Sequence, residues 1–471
     1  MKKVLSTVAA LGLVAGLAST AAAVEFKMSG KYMVEGAYLS SVAPATAATP
    51  ATTTNGGVDP TVLANEDAVS DAYFMHTFEI KPTMKVNDKV SMASVIRLAD
   101  RSFWGNQEDT VGNKMSENGM SNVYVHQLYM DYASPIGNMR FGRTPAGTYG
   151  TNFQDFDQRG DRVMLYPSFL ADGPWSTLFY IQKTTNSNTA NDTLASATGM
   201  ASDSDNTSYV ARVYYKTDAL DSGLHYQFTN NQTDMTLQPD GTWTNNAALS
   251  DVKQTVTAYA KYKMDNYFVN GELTHNFGEK DYQLASSVDR DYDSWSGMLQ
   301  VGGKFDALTP SLMYFYAQGQ DKNETANNGD IENALGSTGT GDLFEPLYIL
   351  TGRHTGMLNN DIFNGQTSTM STAGVHAIVA AADYAVSNQL SLHGAIGWAK
   401  ADEAETATRP LRDDAYGWEY NVGAAYKLLD NLTYEAHFGY LDTGDFFNSA
   451  DTGVDNAKNI YILTHSLTMT F

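Results

Sequence analysis

Six of the eleven arginines in this 471-residue chain stand between positions 97 and 162: Arg97, Arg101, Arg140, Arg143, Arg159 and Arg162. Among the last of them lie three aspartates, Asp155, Asp157 and Asp161. This set contains no nucleophile and no proton relay. Fixed guanidiniums opposite carboxylates can instead set up a field across a gap, which acts on ions and dipoles between them. Other chemistry finds little support. With no Cys there is no disulfide, thiolate metal site, Cys nucleophile or covalently attached c-type haem. The nine histidines, His76, His126, His225, His275, His354, His376, His393, His437 and His465, include no H-x-H or H-x-x-x-H pair. His393 and His437 read as single polar residues of an interior face. The run Asp289-Arg290-Asp291-Tyr292-Asp293 starts with calcium-loop spacing, but Ser294 and Gln300 stand where such a loop needs Gly and Glu. No phosphate-binding glycine loop or G-x-S-x-G elbow occurs, and Arg159-Gly160-Asp161 reads as a loop fragment. No metal and no cofactor is expected. Because 53 acidic residues outweigh 30 basic ones, nucleic acid is not expected as a partner.

These charges must be positioned by strands, because the dominant pattern has period two. Residues 1–23 read as an export signal: Lys2 and Lys3, an apolar run from Val4 to Leu17, then Ala21-Ala22-Ala23. Without the two lysines, 28 basic residues face 53 acidic ones, a net charge of −25. From Val24 onward, Phe26, Met28, Gly30, Tyr32, Val34, Gly36 and Tyr38 alternate with Glu25, Lys27, Ser29, Lys31, Met33 and Glu35. Trp418, Tyr420, Val422, Ala424, Tyr426 and Leu428 alternate in the same way with Glu419, Asn421 and Lys427. The pattern resumes after a tight turn, with Glu435 and His437 on the polar parity. Counting along the chain gives strands near 24–39, 72–85, 89–99, 122–133, 138–143, 162–167, 174–183, 208–217, 223–230, 252–263, 266–277, 294–305, 310–319, 371–384, 389–400, 415–428, 431–441 and 459–471.

Eighteen strands joined alternately by short turns and long polar loops, in an exported chain with no apolar run of 18 residues, imply an all-β transmembrane antiparallel barrel formed by residues 24–471. In lipid every backbone N–H and C=O needs a partner, and only closure removes the two free edges. A barrel this wide is not filled by its own side chains, so the polar parity should face water or an inserted loop. That parity includes Lys27, Lys31, Glu35, Glu419 and Glu435 as expected pore-lining residues. It also places Arg97 and Arg140 in the lumen, with Arg143, Asp155, Asp157, Arg159, Asp161 and Arg162 completing the candidate constriction.

The last strand sets Tyr461, Leu463, His465, Leu467, Met469 and Phe471 against Ile462, Thr464, Ser466, Thr468 and Thr470. Ending on Phe, it resembles the signal by which bacterial outer-membrane proteins are recognised by the barrel-assembly machinery, and that resemblance assigns Tyr461, Leu463, Leu467, Met469 and Phe471 to the signal. The block Gly137-Asn138-Met139-Arg140-Phe141-Gly142-Arg143, followed by the loop 144–161, resembles the general porin superfamily of Gram-negative outer membranes. With the leader and the first strand, it is similar to the abundant porins of metal-reducing anaerobic proteobacteria. The resemblance covers about a third of the chain. It implies a third loop folded into the lumen, long extracellular loops, short periplasmic turns, a homotrimer, and contact with outer-membrane lipid and lipopolysaccharide. General porins have sixteen strands, so either two are extra here or 138–143 and 162–167 are miscounted.

The resulting expectation is passive diffusion of small hydrophilic solutes and ions past a charged constriction. Net acidity attracts cations to the mouth while the constriction is locally basic, and the balance leans towards cations. Two other readings remain: a barrel sheath around a partner multihaem cytochrome carrying electrons across the membrane, and a barrel hydrolase with its catalytic set at one rim.

Overall fold

The computed structural model describes residues 24–42, 69–104, 123–145, 147, 149–155, 159–170, 173–185, 205–231, 248–282, 288–321, 329–336, 340–341, 343–352, 358, 372–405, 413–447 and 459–471. The expected leader, 1–23, and Asp157 lie outside the described residues.

Eighteen strands run β1 (Glu25–Val42), β2 (Val69–Lys85), β3 (Val90–Phe103), β4 (Tyr124–Ser134), β5 (Gly137–Pro145), β6 (Arg159–Pro167), β7 (Trp175–Thr185), β8 (Asn206–Lys216), β9 (Leu220–Asn231), β10 (Ala248–Met264), β11 (Tyr267–Tyr282), β12 (Arg290–Gly303), β13 (Leu308–Ala317), β14 (Val375–Ala385), β15 (Leu390–Lys400), β16 (Ala415–Leu429), β17 (Leu432–Thr443) and β18 (Ile460–Thr470). Each pairs antiparallel with its neighbours in sequence, and β1 also pairs with β18, so the sheet closes. The segments 138–143 and 162–167 are genuine strands, β5 and β6, and the count is eighteen. Each is nine residues long, the short end of what a tilted spanning strand requires.

One end of the barrel carries tight turns with local stops built into the sequence. Asn87 Oδ1 accepts from the N–H groups of Lys89 (2.8 Å) and Val90 (2.9 Å). Ser387 Oγ accepts from Gln389 (3.1 Å) and Leu390 (3.0 Å), and Thr217 Oγ1 from Leu220 (3.0 Å). In each case a short side chain satisfies the backbone that a two- to four-residue reversal leaves unpaired. The strand ends that lead into the longer connections lie at the other end.

Alternation holds around the wall. On β16, Trp418, Tyr420, Val422 and Tyr426 are exposed on the outer face, while Glu419 and Asn421 between them are buried inside. On β18, Tyr461, Leu463, Leu467 and Met469 face out, and Ile460, Ile462, Thr464 and Ser466 face in. The expected wet lumen needs correction on one side. The inner wall from β12 round to β1 carries Met298, Phe315, Val375, Ala377, Val379, Ala399, Tyr416, Leu441, Ile460, Ile462 and Leu39. These pack against Phe344, Leu347, Ile349, Leu350 and Leu358 from the β13–β14 connection and Phe153 from the β5–β6 connection. That half of the bore is a dry core, because the inserted segments bring apolar side chains to meet an apolar wall.

Candidate functional site

The β5–β6 connection enters the lumen and docks on the far wall. Tyr149 O–H donates to the Thr257 carbonyl on β10 (3.0 Å), and its ring meets Tyr259 edge-on with 5.0 Å between centroids. Burial, reinforced by Tyr259 and Tyr214, pushes the Tyr149 phenol above its ordinary pKa. Thr151 N–H and Oγ1 donate to Glu272 Oε2 on β11 (2.6 and 2.9 Å), and Ser296 Oγ on β12 donates to Gln154 Oε1 (2.8 Å). The β13–β14 connection joins it there: Gly341 N–H donates to the Phe153 carbonyl (2.8 Å), and Asn152 Nδ2 to that of Leu343 (3.3 Å).

Between this crossing loop and the β6–β11 wall lies a cavity of ≈ 290 Å³ lined by opposed charges. Arg162, Arg212 and Lys253, on β6, β8 and β10, supply the cations, while Asp155 on the loop and Glu272 on β11 supply the carboxylates. Arg162 Nε donates to Gln182 Oε1 (2.8 Å) and its Nη1 to the Thr144 carbonyl. Arg212 donates to His225 Nδ1 (3.0 Å), the Gly147 carbonyl (3.1 Å) and Tyr180 O (3.3 Å), and lies over the rings of Tyr149 and Tyr180. Lys253 Nζ lies 5.8 Å from the centre of the Tyr292 ring. Such anchored guanidiniums are held in fixed positions and orientations. Gln227, Thr255 and Asn276 give the remaining lining a neutral polar surface. A second cavity, of ≈ 730 Å³, touches Gly147 and Gly150 of the same loop and extends to Lys216, Asp221 and Lys261 near the short-turn end.

The residues expected at the constriction are dispersed. Arg162 and Asp155 stand in it. Arg97 faces in, but is engaged by Glu79 (3.2 Å) and by both Asp100 oxygens (2.8 Å each). Arg140 forks onto Asp131 (2.7 and 3.0 Å) over the Tyr129 ring, in a separate cavity shared with Lys27. The two arginines do not share a level. Arg97 registers with Tyr124 and Arg140 with Asp131, and the difference 131 − 124 gives seven residues, roughly 23 Å along β4. Arg143 and Asp161 correct the expectation outright. They register with each other, beside the outward-facing Leu128 and the outward Phe141–Val163 pair, so they lie on the barrel's outer face, 3.9 Å apart. Arg159 sits at the long-loop end of β6, opposite Pro145.

Of the expected pore-lining set, Lys27 is exposed at the short-turn end beside Glu25 (2.8 Å), Lys31 registers with Glu79 and Thr470, and Glu435 accepts from Ser466 Oγ (3.4 Å). Glu35 and Glu419 face inward without lining water, being 1% and 0% exposed. Glu419 is covered by the β13–β14 connection, whose Ile349 and Leu350 N–H groups it accepts (2.7 and 2.9 Å). His393 bonds Asp383 (2.8 Å), and His437 Nδ1 and the Tyr348 hydroxyl share a hydrogen bond (3.0 Å). The aspartates of 289–293 do not converge, because the run opens β12 in extended form and Asp293 bonds His275 (2.9 Å). Arg212, Lys253 and Glu272 were missed. Their signal was parity: Arg212 alternates with outward Tyr209 and Val213, Glu272 with outward Leu273.

No protein-family model and no curated protein matches the sequence. Solved structures do match in fold. The Pseudomonas aeruginosa OccK8 (OprE) structure aligns over 94% of this chain and 98% of its own, at 9% identity and a TM-score of 0.50. Pseudomonas aeruginosa OpdQ aligns over 94% and 97%, at 10% identity and the same TM-score. At these identities the likeness concerns the barrel architecture alone.

Proposed function

We propose that this chain is a bacterial outer-membrane porin through which small hydrophilic solutes and ions diffuse passively. The observation that carries this reading is the ≈ 290 Å³ cavity in which Arg162, Arg212 and Lys253 face Asp155 and Glu272. A field between fixed opposite charges in a narrow gap orients dipolar solutes and disfavours apolar ones, which lose water there without gaining partners. An exposed aromatic and aliphatic belt outside, with charged side chains clustered inside, suits a lipid exterior bounded by lipopolysaccharide. On this reading residues 1–23 direct export, the short turns are periplasmic, the long loops are extracellular, and the β18 pattern serves barrel assembly.

A homotrimer belongs to the same proposal. The outer face of β18, β1 and β2 presents His465, Tyr32 and His76 around Gly36, polar groups that lipid cannot satisfy and a neighbouring subunit can. The cytochrome-sheath alternative needs an open bore, whereas the β5–β6 connection crosses it and the β13–β14 connection fills one side. Purified protein in a planar bilayer should give stepwise conductance increments. Absence of steps from correctly folded protein would overturn the proposal.

A further inference from the structure

The inner faces of β15, β16 and β17 are shaped to receive residues 343–352. Gly397, Gly423 and Gly439 all face inward on adjacent strands. A side chain at Gly397 would strike the Leu347 methyls at 2.8 Å, and one at Gly423 would strike both His437 Nδ1 at 2.5 Å and the Tyr348 hydroxyl bonded to it at 2.8 Å. At Gly439 it would press on Asn421 and Ile462 of the wall (3.0 and 3.1 Å) and on Tyr348 Cβ at 3.3 Å. Removing three side chains from neighbouring strands leaves a slot, and Leu347 and Tyr348 occupy it.

Glu419 is the polar anchor of that slot. It registers directly with Gly397 and Leu441. The segment it holds forms one helical turn, closed by Thr351 N–H to the Leu347 carbonyl (3.2 Å) and by Thr351 Oγ1 to the same carbonyl (2.8 Å). Such a turn leaves its first N–H groups without intrahelical partners and slightly positive. Glu419 offers one carboxylate oxygen to Ile349 and the other to Leu350. Leu347, Ile349 and Leu350 are each fully buried.

We propose that residues 343–352 form a fixed plug, a second selectivity element that confines solutes to the β6–β11 side of the bore, and that Glu419 is the positioning residue that seats it. This rests on the channel reading and adds a determinant of pore width remote from the charged cavity. Glu419→Ala leaves two buried N–H groups without acceptors, and Gly397→Leu fills the slot while keeping Glu419. Either substitution should unseat the plug.

The test is single-channel recording of the full-length protein with a graded series of neutral sugars. Both variants should raise conductance roughly twofold, towards that of an open barrel of this size, and admit larger sugars. Heat-modifiable migration on gels and β-type circular dichroism check that each barrel is intact. Replacing residues 343–352 by a Gly/Ser linker leaves every strand untouched and should give the same wide channel, in which Glu419→Ala produces no further change. Wild-type conductance and exclusion in the linker variant, or in folded Glu419→Ala and Gly397→Leu, would overturn the plug. So would an additional effect of Glu419→Ala in the linker background. A silent wild type would instead bring down the channel reading itself.

Discussion

Glu272 on β11 occupies the space that a side chain on Gly150 would need, while Gly150 holds φ at +71°. The crossing loop therefore depends at this point on a residue without Cβ, both for its left-handed backbone and for the approach of the carboxylate that binds Thr151. The docking of the crossing loop beside the charged cavity is thus fixed by one glycine and one glutamate in direct contact.

The first prediction concerns that docking. Gly150→Ala should cost the docked loop about 1–3 kcal/mol from backbone strain and from displacing the carboxylate. The loop should then leave the wall for part of the time, giving a noisier channel of higher mean conductance while the barrel remains folded. A quiet channel of wild-type conductance would show that the loop is held without this contact.

A second prediction separates the cavity from the outer face. Arg212→Glu should move the reversal potential in a salt gradient towards cations, because it replaces one of three cations facing Asp155 and Glu272. Arg143→Glu, although Arg143 borders the loop in sequence, should leave the reversal potential within error. If Arg143→Glu shifted selectivity as much as Arg212→Glu, the assignment of inner and outer faces on β5 would be wrong.

That contrast shows what the sequence made legible. Closure and loop asymmetry were readable, and the count of eighteen with sixteen left open, because a barrel wall alternates along every strand and the turns announce themselves through residues such as Asn87 and Ser387. The charged site was only partly readable. Grouping charges by position in the chain put Arg143 and Asp161 inside, although strict parity with Phe141 and Val163 places them outside. The same parity on β8 and β11 points to Arg212 and Glu272, but they lie far along the chain from the arginine cluster. The dry half left a weaker trace. On β14, Val375, Ala377 and Val379 are apolar on the covered inner parity while exposed Ile378 is apolar on the outer, so both faces are apolar and alternation fades. What covers them comes from residues some thirty positions earlier, which period-two reading passes over.

The third prediction concerns Arg97, whose guanidinium is already committed to Glu79 and Asp100. Arg97→Ala should lower stability by about 2–4 kcal/mol, because it leaves largely buried carboxylates with less compensation. Lys81 still reaches Glu79 (3.0 Å), which keeps the loss below that of a fully orphaned charge. The temperature at which the heat-modifiable band converts should fall while conductance and ion preference hold. A clear change in ion preference with unchanged thermal behaviour would return Arg97 to the permeation path.

The last prediction concerns the seam. Gly30 and Phe471 exchange backbone hydrogen bonds (2.8 and 3.1 Å), next to the registered run from Lys31–Thr470 to Leu39–Ile462, and the Phe471 ring lies across Gly30 towards Phe78. Truncating Phe471 to Ala keeps both backbone hydrogen bonds and removes only one exposed ring, a small part of a seam with nine other registered pairs. Its equilibrium effect should therefore be modest. If the β18 pattern is what the assembly machinery reads, the effect in cells should be much larger than the effect in detergent. The prediction is that Phe471→Ala refolds in vitro to nearly the wild-type yield of heat-modifiable barrel, whereas the amount assembled in outer membranes falls several-fold. Gly30→Leu, which displaces the Phe471 ring but preserves the β18 sequence, should show the opposite balance, with poorer refolding and normal recognition. Equal losses in vitro and in cells for Phe471→Ala would mean that the ring contributes only as part of the closed seam.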